Sequence, residues 1–364
     1  MKRSTLSEIA RLAGVNPSTV SRALNPAAAT LISKEQRERI IALCDKLNYR
    51  PKRAARGCAT GKSYTVGYVS GALHQDLSSP FISRYIAEIS RELQQNGYSL
   101  SLLSVDGLRG DLHDSVRSIL LSDMADGYII GSGLVRQQEE DIFKCTGRPI
   151  LTLGYHNFKH DTHFPSVEIN IEEAVALIWQ IIAANLQDHS CCFFGNPTVS
   201  SSAKISKIRK YAPPGSLVSE FFIPDPVNNS LMDYAQAEET AEKLHRELFA
   251  RKVIWCGSDL VGAGLCAVME KHGVEPGKDI MVIGYDHLAS AVPKFPCDLA
   301  TIDPCWEKAG NVTARKILEL IANPEKHSVS EVINAIFVPG KTMPFQVKKY
   351  TATNCNTIFQ EEKK

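Results

Sequence analysis

Apolar and polar positions change rhythm once along the chain. In residues 5–47 the apolar positions recur at helical spacing: Ile9, Leu12 and Ala13, then Val20 and Leu24, then Ile40, Leu43, Cys44 and Leu47. This predicts three short helices around one small core. The punctuation agrees. Thr5-Leu-Ser-Glu8 has the spacing of a capping box, Gly14 suits a left-handed stop, and Asn16 with Pro17 suits an N-cap and first helical position. Asn25-Pro26 ends the second helix, and Ser33 with Gln36 opens the third. From Thr65 the rhythm changes to short β-rich runs, VGYVS, YSLSLLSV, DGYIIG, PILTLGY, CCFFGN, KVIWCG and IMVIGYD, alternating with helical stretches such as Phe81 to Asn96. Strands alternating with helices predict parallel sheets of βαβ units. In 364 residues, so many repeats predict two similar lobes, with a cleft beyond the carboxyl ends of the strands.

The second predicted helix explains the head. With Val20 and Leu24 inward, Pro17, Ser18, Ser21 and Arg22 face outward. Two short helices joined by a tight turn and closed by a third form a helix-turn-helix. A face this slim enters a major groove about 12 Å wide, and its helix N-terminus favours phosphate. Serine, threonine and asparagine set the register on the backbone; Arg22 is the one long donor for a bidentate pair with guanine.

Charge sharpens this picture. The whole chain is nearly neutral at +1, but residues 1–62 carry 13 Lys and Arg against 4 Asp and Glu, a net of +9, and the remainder 28 against 36, a net of −8. A basic head on an acidic body addresses a polyanion. Other classes find no support. No run of about 18 apolar residues and no apolar leader core appear, so no membrane span is expected and a cytoplasmic location is. Ten cysteines with no CxxC pair read as reduced, mostly buried thiols rather than a zinc site or disulfide framework. No metal is expected of the His160, Asp161 and His163 group either. No GxGxxG follows the first strand, and no GxSxG elbow or Walker loop occurs, so no enzyme, catalytic residue or cofactor is expected.

The strings TLSEIARLAGVNPSTVSRALN and ISKEQRERIIALCDKLNYRPKRAARG closely resemble the DNA-binding head of the lactose/galactose-repressor (LacI/GalR) family over nearly all of residues 4–62. The body, about residues 63–345, resembles the periplasmic sugar-binding fold of that family through DLSSPF, GSDLVGAGLCAVMEKHGV and DIMVIGYDH. The resemblance implies an all-α helix-turn-helix head plus an α/β two-lobed, periplasmic-binding-protein-like body with parallel sheets. The expected divisions are a head over 1–48, a hinge over 49–62, a first lobe from 63–163 and 287–328, a second from 164–286 and 329–345, and a tail over 346–364.

It also implies function: a regulator, usually a repressor, that binds a pseudo-palindromic operator in double-stranded DNA as a homodimer, under a small-molecule effector such as a sugar or related metabolite. DNA contacts are implied for Thr5, Leu6, Asn16, Pro17, Ser18, Thr19, Ser21, Arg22, Asn25 and Tyr49, and for Arg56 and Cys58 in the hinge, which starts at Pro51. Cys58 stands where the family usually wedges a leucine between bases, and Gly57 before it lowers helix propensity by about 1 kcal/mol relative to alanine. Two readings of Cys58 stay open, a smaller wedge and an oxidation-sensitive thiol.

In the cleft the resemblance implies ligand contacts from Ser79, Phe81, Tyr155, Ser206, Ser258 and Asp286. Phe81 is expected to stack on a sugar ring and Asp286 to accept from hydroxyls. Serines replace asparagines at 79 and 258, Gly154-Tyr155 replaces Asp-Arg, and Ser206 occupies the expected place of a ligand-binding arginine, with Lys204 or Arg209 as substitutes. The departures imply a changed ligand or, alternatively, a ligand-independent or redox-sensitive regulator with a degenerate cleft.

Overall fold

The computed structural model describes residues 4–24, 31–49, 60–70, 73, 77, 79–105, 112–122, 124–131, 146–155, 165–224, 232–290, 295–324 and 330–345. The chain divides into two compact units, Met1–Tyr64 and Thr65–Lys364.

In the first unit, α1 (Leu6–Ala13), α2 (Pro17–Leu24) and α3 (Lys34–Lys46) surround one apolar cluster. The expected punctuation is in place. Thr5 Oγ1 accepts from Glu8 N at 3.2 Å, Ser33 Oγ accepts from Gln36 N at 3.2 Å, and Gly14 stops α1 at φ +66°. That φ lies in the left-handed region, where a side chain adds strain. Ile9, Val20, Ala23, Ile40 and Cys44 are buried. One expected core position fails: Leu12 is 49% exposed, and Ala10 is buried instead. In a helix of two turns, positions 9, 12 and 13 and positions 9, 10 and 13 both make a helical stripe, so spacing alone does not choose between them.

The second unit holds two sheets. The first is entirely parallel, in the order β11-β5-β4-β3-β1-β2, from β1 (Thr65–Ser70), β2 (Ser99–Ser104), β3 (Gly127–Ile130), β4 (Ile150–Tyr155), β5 (Ser166–Asn170) and β11 (Glu331–Asn334). Its helices include α4 (Pro80–Gln95) and α5 (Leu112–Leu120). The second sheet runs β12-β10-β9-β8-β6-β7, from β6 (Cys191–Gly195), β7 (Val218–Phe222), β8 (Val253–Cys256), β9 (Met281–Tyr285), β10 (Ala300–Asp303) and β12 (Ile336–Val338), with only β12 antiparallel. Its helices are α6 (Glu172–Asn185), α7 (Val199–Tyr211), α8 (Met232–Lys243), α9 (His245–Phe249) and α10 (Asp259–Lys271). The last helix, α11 (Trp306–Ala322), returns to the first lobe and packs along α4.

The expected lobe boundaries need correction. Strand β5 pairs with β4 (Thr152 opposite Ser166) and β11 pairs with β5 (Glu331 opposite Val167), so both complete the first sheet rather than the second. Strand β10 pairs with β9 and belongs to the second. The chain therefore changes lobes after Asn170, after Asp303, and between Asn334 and Ile336, with Ala335 alone spanning the last passage. No helix among the described residues is long and apolar enough to cross a membrane.

Candidate nucleic-acid interface and ligand cleft

Helix α2 turns its apolar side to the head core and leaves Asn16, Pro17, Ser18, Ser21 and Arg22 exposed, with Thr19 half-buried. The Asn16 carbonyl accepts from Thr19 N and Val20 N at 2.9 and 3.3 Å, which starts the helix. Two other arginines of the head have internal work. Arg39 donates to the Ala13 carbonyl at 2.8 Å and Arg37 to the Ala23 carbonyl at 3.1 Å, so α3 satisfies the free C-terminal carbonyls of α1 and α2. Among the described residues Arg22 forms no such brace, and it stands on the outer face.

Thr5 is exposed, while Leu6 packs partly against the core. Tyr49 departs from expectation. It is 8% exposed and closes the core behind α3, and burial, then Cys44, pushes its hydroxyl pKa up. Its ring is thus a packing element and not part of the exposed α2 face. Asn25, Arg56 and Cys58, as well as Pro51, His160, Asp161 and His163, lie outside the described residues.

In the body, five of the six expected cleft residues are described with their side chains. Asp286 follows β9 at φ +105°, 3% exposed, and its backbone N–H donates to Ile302 O at 2.9 Å. Trp306 Nε1 donates to Asp286 Oδ1 over a long 3.4 Å. The Trp306 ring stacks on Phe81, 5.3 Å between centroids at 25°, and meets Tyr85 edge-on at 6.2 Å. One face of the Phe81 ring is therefore covered by the chain's own indole. Ser79 and Ser258 act as helix caps: Ser79 Oγ accepts from Ile82 N at 3.5 Å and Ser258 Oγ from Val261 N at 3.3 Å. Tyr155 ends β4 opposite Ile169, and its side chain lies outside the described residues.

Ser206 is the sixth residue, and here the structure corrects the sequence reading. It is exposed on α7, on the side away from the cleft-lining Ser200, Ala203, Lys204 and Lys207. Lys204 is the residue that reaches inward. Its Nζ donates to Gly257 O at 2.7 Å and sits 3.5 Å from the centre of the Tyr285 ring, a cation–π contact. Burial pushes the Lys204 ammonium down, to about 8, against the pull of Asp286 and Asp259. Arg209, the other substitute, lies on the outer surface, paired with Glu220 and donating to Val218 O at 3.2 Å. These α7 residues line a small open space together with Ile169, Ile171 and Tyr285.

The wall behind the cleft is braced by Asp259, missed by sequence reasoning as a structural acid. Its Oδ1 accepts from Thr301 Oγ1 at 2.6 Å and its Oδ2 from Leu288 N at 2.7 Å, which fixes the turn after Asp286. Burial pushes its carboxyl pKa up to about 6, against those bonds. Gly284 makes room for it: a Cβ there would come 2.1 Å from Asp259 Oδ1. Beside it His287 Nδ1 lies 3.0 Å from Asp303 Oδ2. Glu172 tethers α6 to α7 through Lys207, Lys210 and Tyr211. Burial raises its pKa, but those hydrogen bonds outweigh it and hold the carboxyl at about 2.

A helix-turn-helix head with an exposed polar reading face, carried by a two-lobed cleft protein, defines a DNA-binding transcriptional regulator with a ligand-binding body. Residues 5–52 match "Bacterial regulatory proteins, lacI family" and residues 68–342 match "Periplasmic binding proteins and sugar binding domain of LacI family". The chain belongs to the lacI family of bacterial regulatory proteins. It is similar to the ribose operon repressor of Haemophilus influenzae, 25% identical over 89% of this chain and 94% of that one. It is also similar to the transcriptional repressor PurR of Vibrio parahaemolyticus, 23% identical over 88% and 93%. Among solved structures, a lac repressor dimer bound to operator and the anti-inducer ONPF superposes with a TM-score of 0.74 at 22% identity, covering 94% of this chain and 99% of that one.

Proposed function

We propose that this regulator represses transcription in the cytoplasm by binding a pseudo-palindromic operator as a homodimer, and that a small molecule held between its lobes sets the occupancy of that operator. It works by binding and not by turnover. The observation that carries the DNA reading is the α2 face, where Ser18, Ser21 and Arg22 are exposed, while Arg37 and Arg39 of α3 donate to internal carbonyls. Two-fold symmetry follows from need, because one helix reads only a few base pairs. The dimeric, operator-bound state of the lac repressor and the repressor relatives favour the same reading. Arg22 is assigned to base reading, and Asn16, Ser18, Thr19 and Ser21 to the register on phosphate. The test is fluorescence anisotropy of the full chain against genomic duplex fragments over a salt series. Retention of one fragment at a salt concentration that releases random DNA supports the reading; equal release of all fragments sinks it.

For the cleft, the ligand fits as a small sugar-like metabolite that offers hydroxyl donors to Asp286 and an acceptor to Lys204. A second reading has an observation of its own. Trp306 already donates to Asp286 and Gly257 already accepts from Lys204, so this acid and this ammonium each have a partner within the chain, as a ligand-independent regulator requires. A thermal-shift screen of sugars, nucleosides and small acids separates the two: a shift abolished by Asp286→Ala supports the effector, and no shift with any class supports the self-satisfied cleft.

A further inference from the structure

Two first-lobe side chains reach across to the second-lobe turn that follows β9. Trp306, at the start of α11, donates through Nε1 to Asp286 Oδ1 at 3.4 Å. Arg84, on α4, donates through Nη1 to Ser290 Oγ at 3.1 Å, and Ser290 Oγ in turn donates to the His287 carbonyl at 2.8 Å. Both donors are held at their own end. The Trp306 indole is buried and stacked on Phe81, and Arg84 Nη2 donates to Glu307 Oε1 at 2.9 Å, the residue after Trp306 on α11. Tyr85 ties the two helices together by donating to Thr313 Oγ1 at 3.0 Å. The receiving turn is fixed as well. Leu288 N donates to Asp259 Oδ2 at 2.7 Å, and His287 Nδ1 lies 3.0 Å from Asp303 Oδ2. Asp303 Oδ1 also accepts from Cys305 N at 2.7 Å, in the passage by which the chain re-enters the first lobe.

We propose that Trp306 and Arg84 form a latch that holds the two lobes together in the absence of any small molecule. Lobes joined by a few chain passages turn about them as a hinge, and a contact made only in the closed arrangement biases that equilibrium. Here the groups on both sides are already ordered by their own lobes, so closing the contact costs little further side-chain entropy. Two hydrogen bonds of ordinary net strength shift such an equilibrium by roughly tenfold or more. Trp306 directly follows Cys305 in the passage and acts at the pivot, while Arg84 comes from a separate helix, so two elements of the first lobe hold the same turn. A molecule that takes the Asp286 carboxylate displaces Trp306 Nε1 and loosens the lobes. That consequence rests on the effector reading above; the latch itself does not.

The test uses the full chain with no small molecule added, followed by small-angle X-ray scattering and by hydrogen–deuterium exchange of the peptide that covers residues 286–290. Trp306→Phe keeps a ring against Phe81 and loses the donor; Arg84→Met keeps the aliphatic stem and loses both donors. Both changes lie in the first lobe, so an effect on the second-lobe turn reports the contact across. The double variant is expected to raise the radius of gyration and to speed exchange of that peptide at least about threefold, with β8 unchanged. Each single variant is expected to show part of the effect, and its melting checks that the fold is intact. An unchanged scattering profile, or exchange of the turn at the wild-type rate, overturns the latch.

Discussion

The outer face of α2 and the wall of the cleft are both polar, yet they manage their polar groups in opposite ways. On α2, Ser18, Ser21 and Arg22 are exposed. In the cleft, Asp286 and Lys204 are withdrawn from water and are met by Trp306, Gly257 and Tyr285 of the same chain. Leaving a buried polar atom unpaired costs about 1–3 kcal/mol, so an interior site must find partners even when empty. An exposed site pays nothing for waiting. The chemistry of the head's partner is therefore visible on its surface, while that of the cleft's ligand is masked by the side chains that stand in for it.

Breaking the head has the largest expected effect. Ile40 is fully buried among three helices, and Ile40→Ala is expected to cost about 2–5 kcal/mol and to abolish operator binding, while the calorimetric transition of the body stays in place. A joint loss of both transitions contradicts the independence of the two units. Next, Arg22→Ala is expected to weaken binding to the specific fragment by about 1–3 kcal/mol and to random DNA far less. Equal losses would reassign Arg22 to phosphate. On the cleft side, Ser258→Ala removes the cap of α10 and is expected to lower stability by about 1 kcal/mol in urea titration without altering DNA affinity at saturating concentration.

The smallest effect is on a slope. Lys204 has its pKa lowered in the folded chain, to about 8 from 10.5, so the unfolded chain binds more protons between those values. Its contribution to stability therefore rises as pH climbs from about 8 to 10.5. Lys204→Met is expected to lose that rise. The wild-type minus variant difference in urea midpoints isolates it from other groups, and a flat difference places the ammonium in water.

The head was largely legible because its signals are local. Thr5, Gly14, Pro17 and Ser33 act within a few residues of themselves and take their expected places. Leu12 failed because two turns of helix do not settle the phase of a stripe. The parallel sheets were legible from strand–helix alternation, but β5, β7, β10, β11 and β12 fall outside the apolar runs read as strands. The lobe boundaries depend on which strand each of these pairs with, and composition does not shift at any crossing. In the cleft, Asp286, expected to accept from ligand hydroxyls, stands buried immediately after β9. Ser206 was misplaced, because a two-residue slip along α7 turns an inward position outward; the spacing of Ser200, Ala203, Lys204 and Lys207 held the usable signal. Nothing local in the sequence announces the bond of Trp306 to an acid 20 residues earlier.

The threefold passage of the backbone between the sheets has a consequence for anyone cutting this gene. Each half borrows its finishing strand from a distant stretch of the coding sequence, and Ala335 is the whole connection between two of those borrowed strands. Neither half is obtainable as an uninterrupted fragment. A premature stop before codon 331 would strip an edge from both at once, so truncation from the carboxyl side should fail abruptly instead of whittling the protein down by stages.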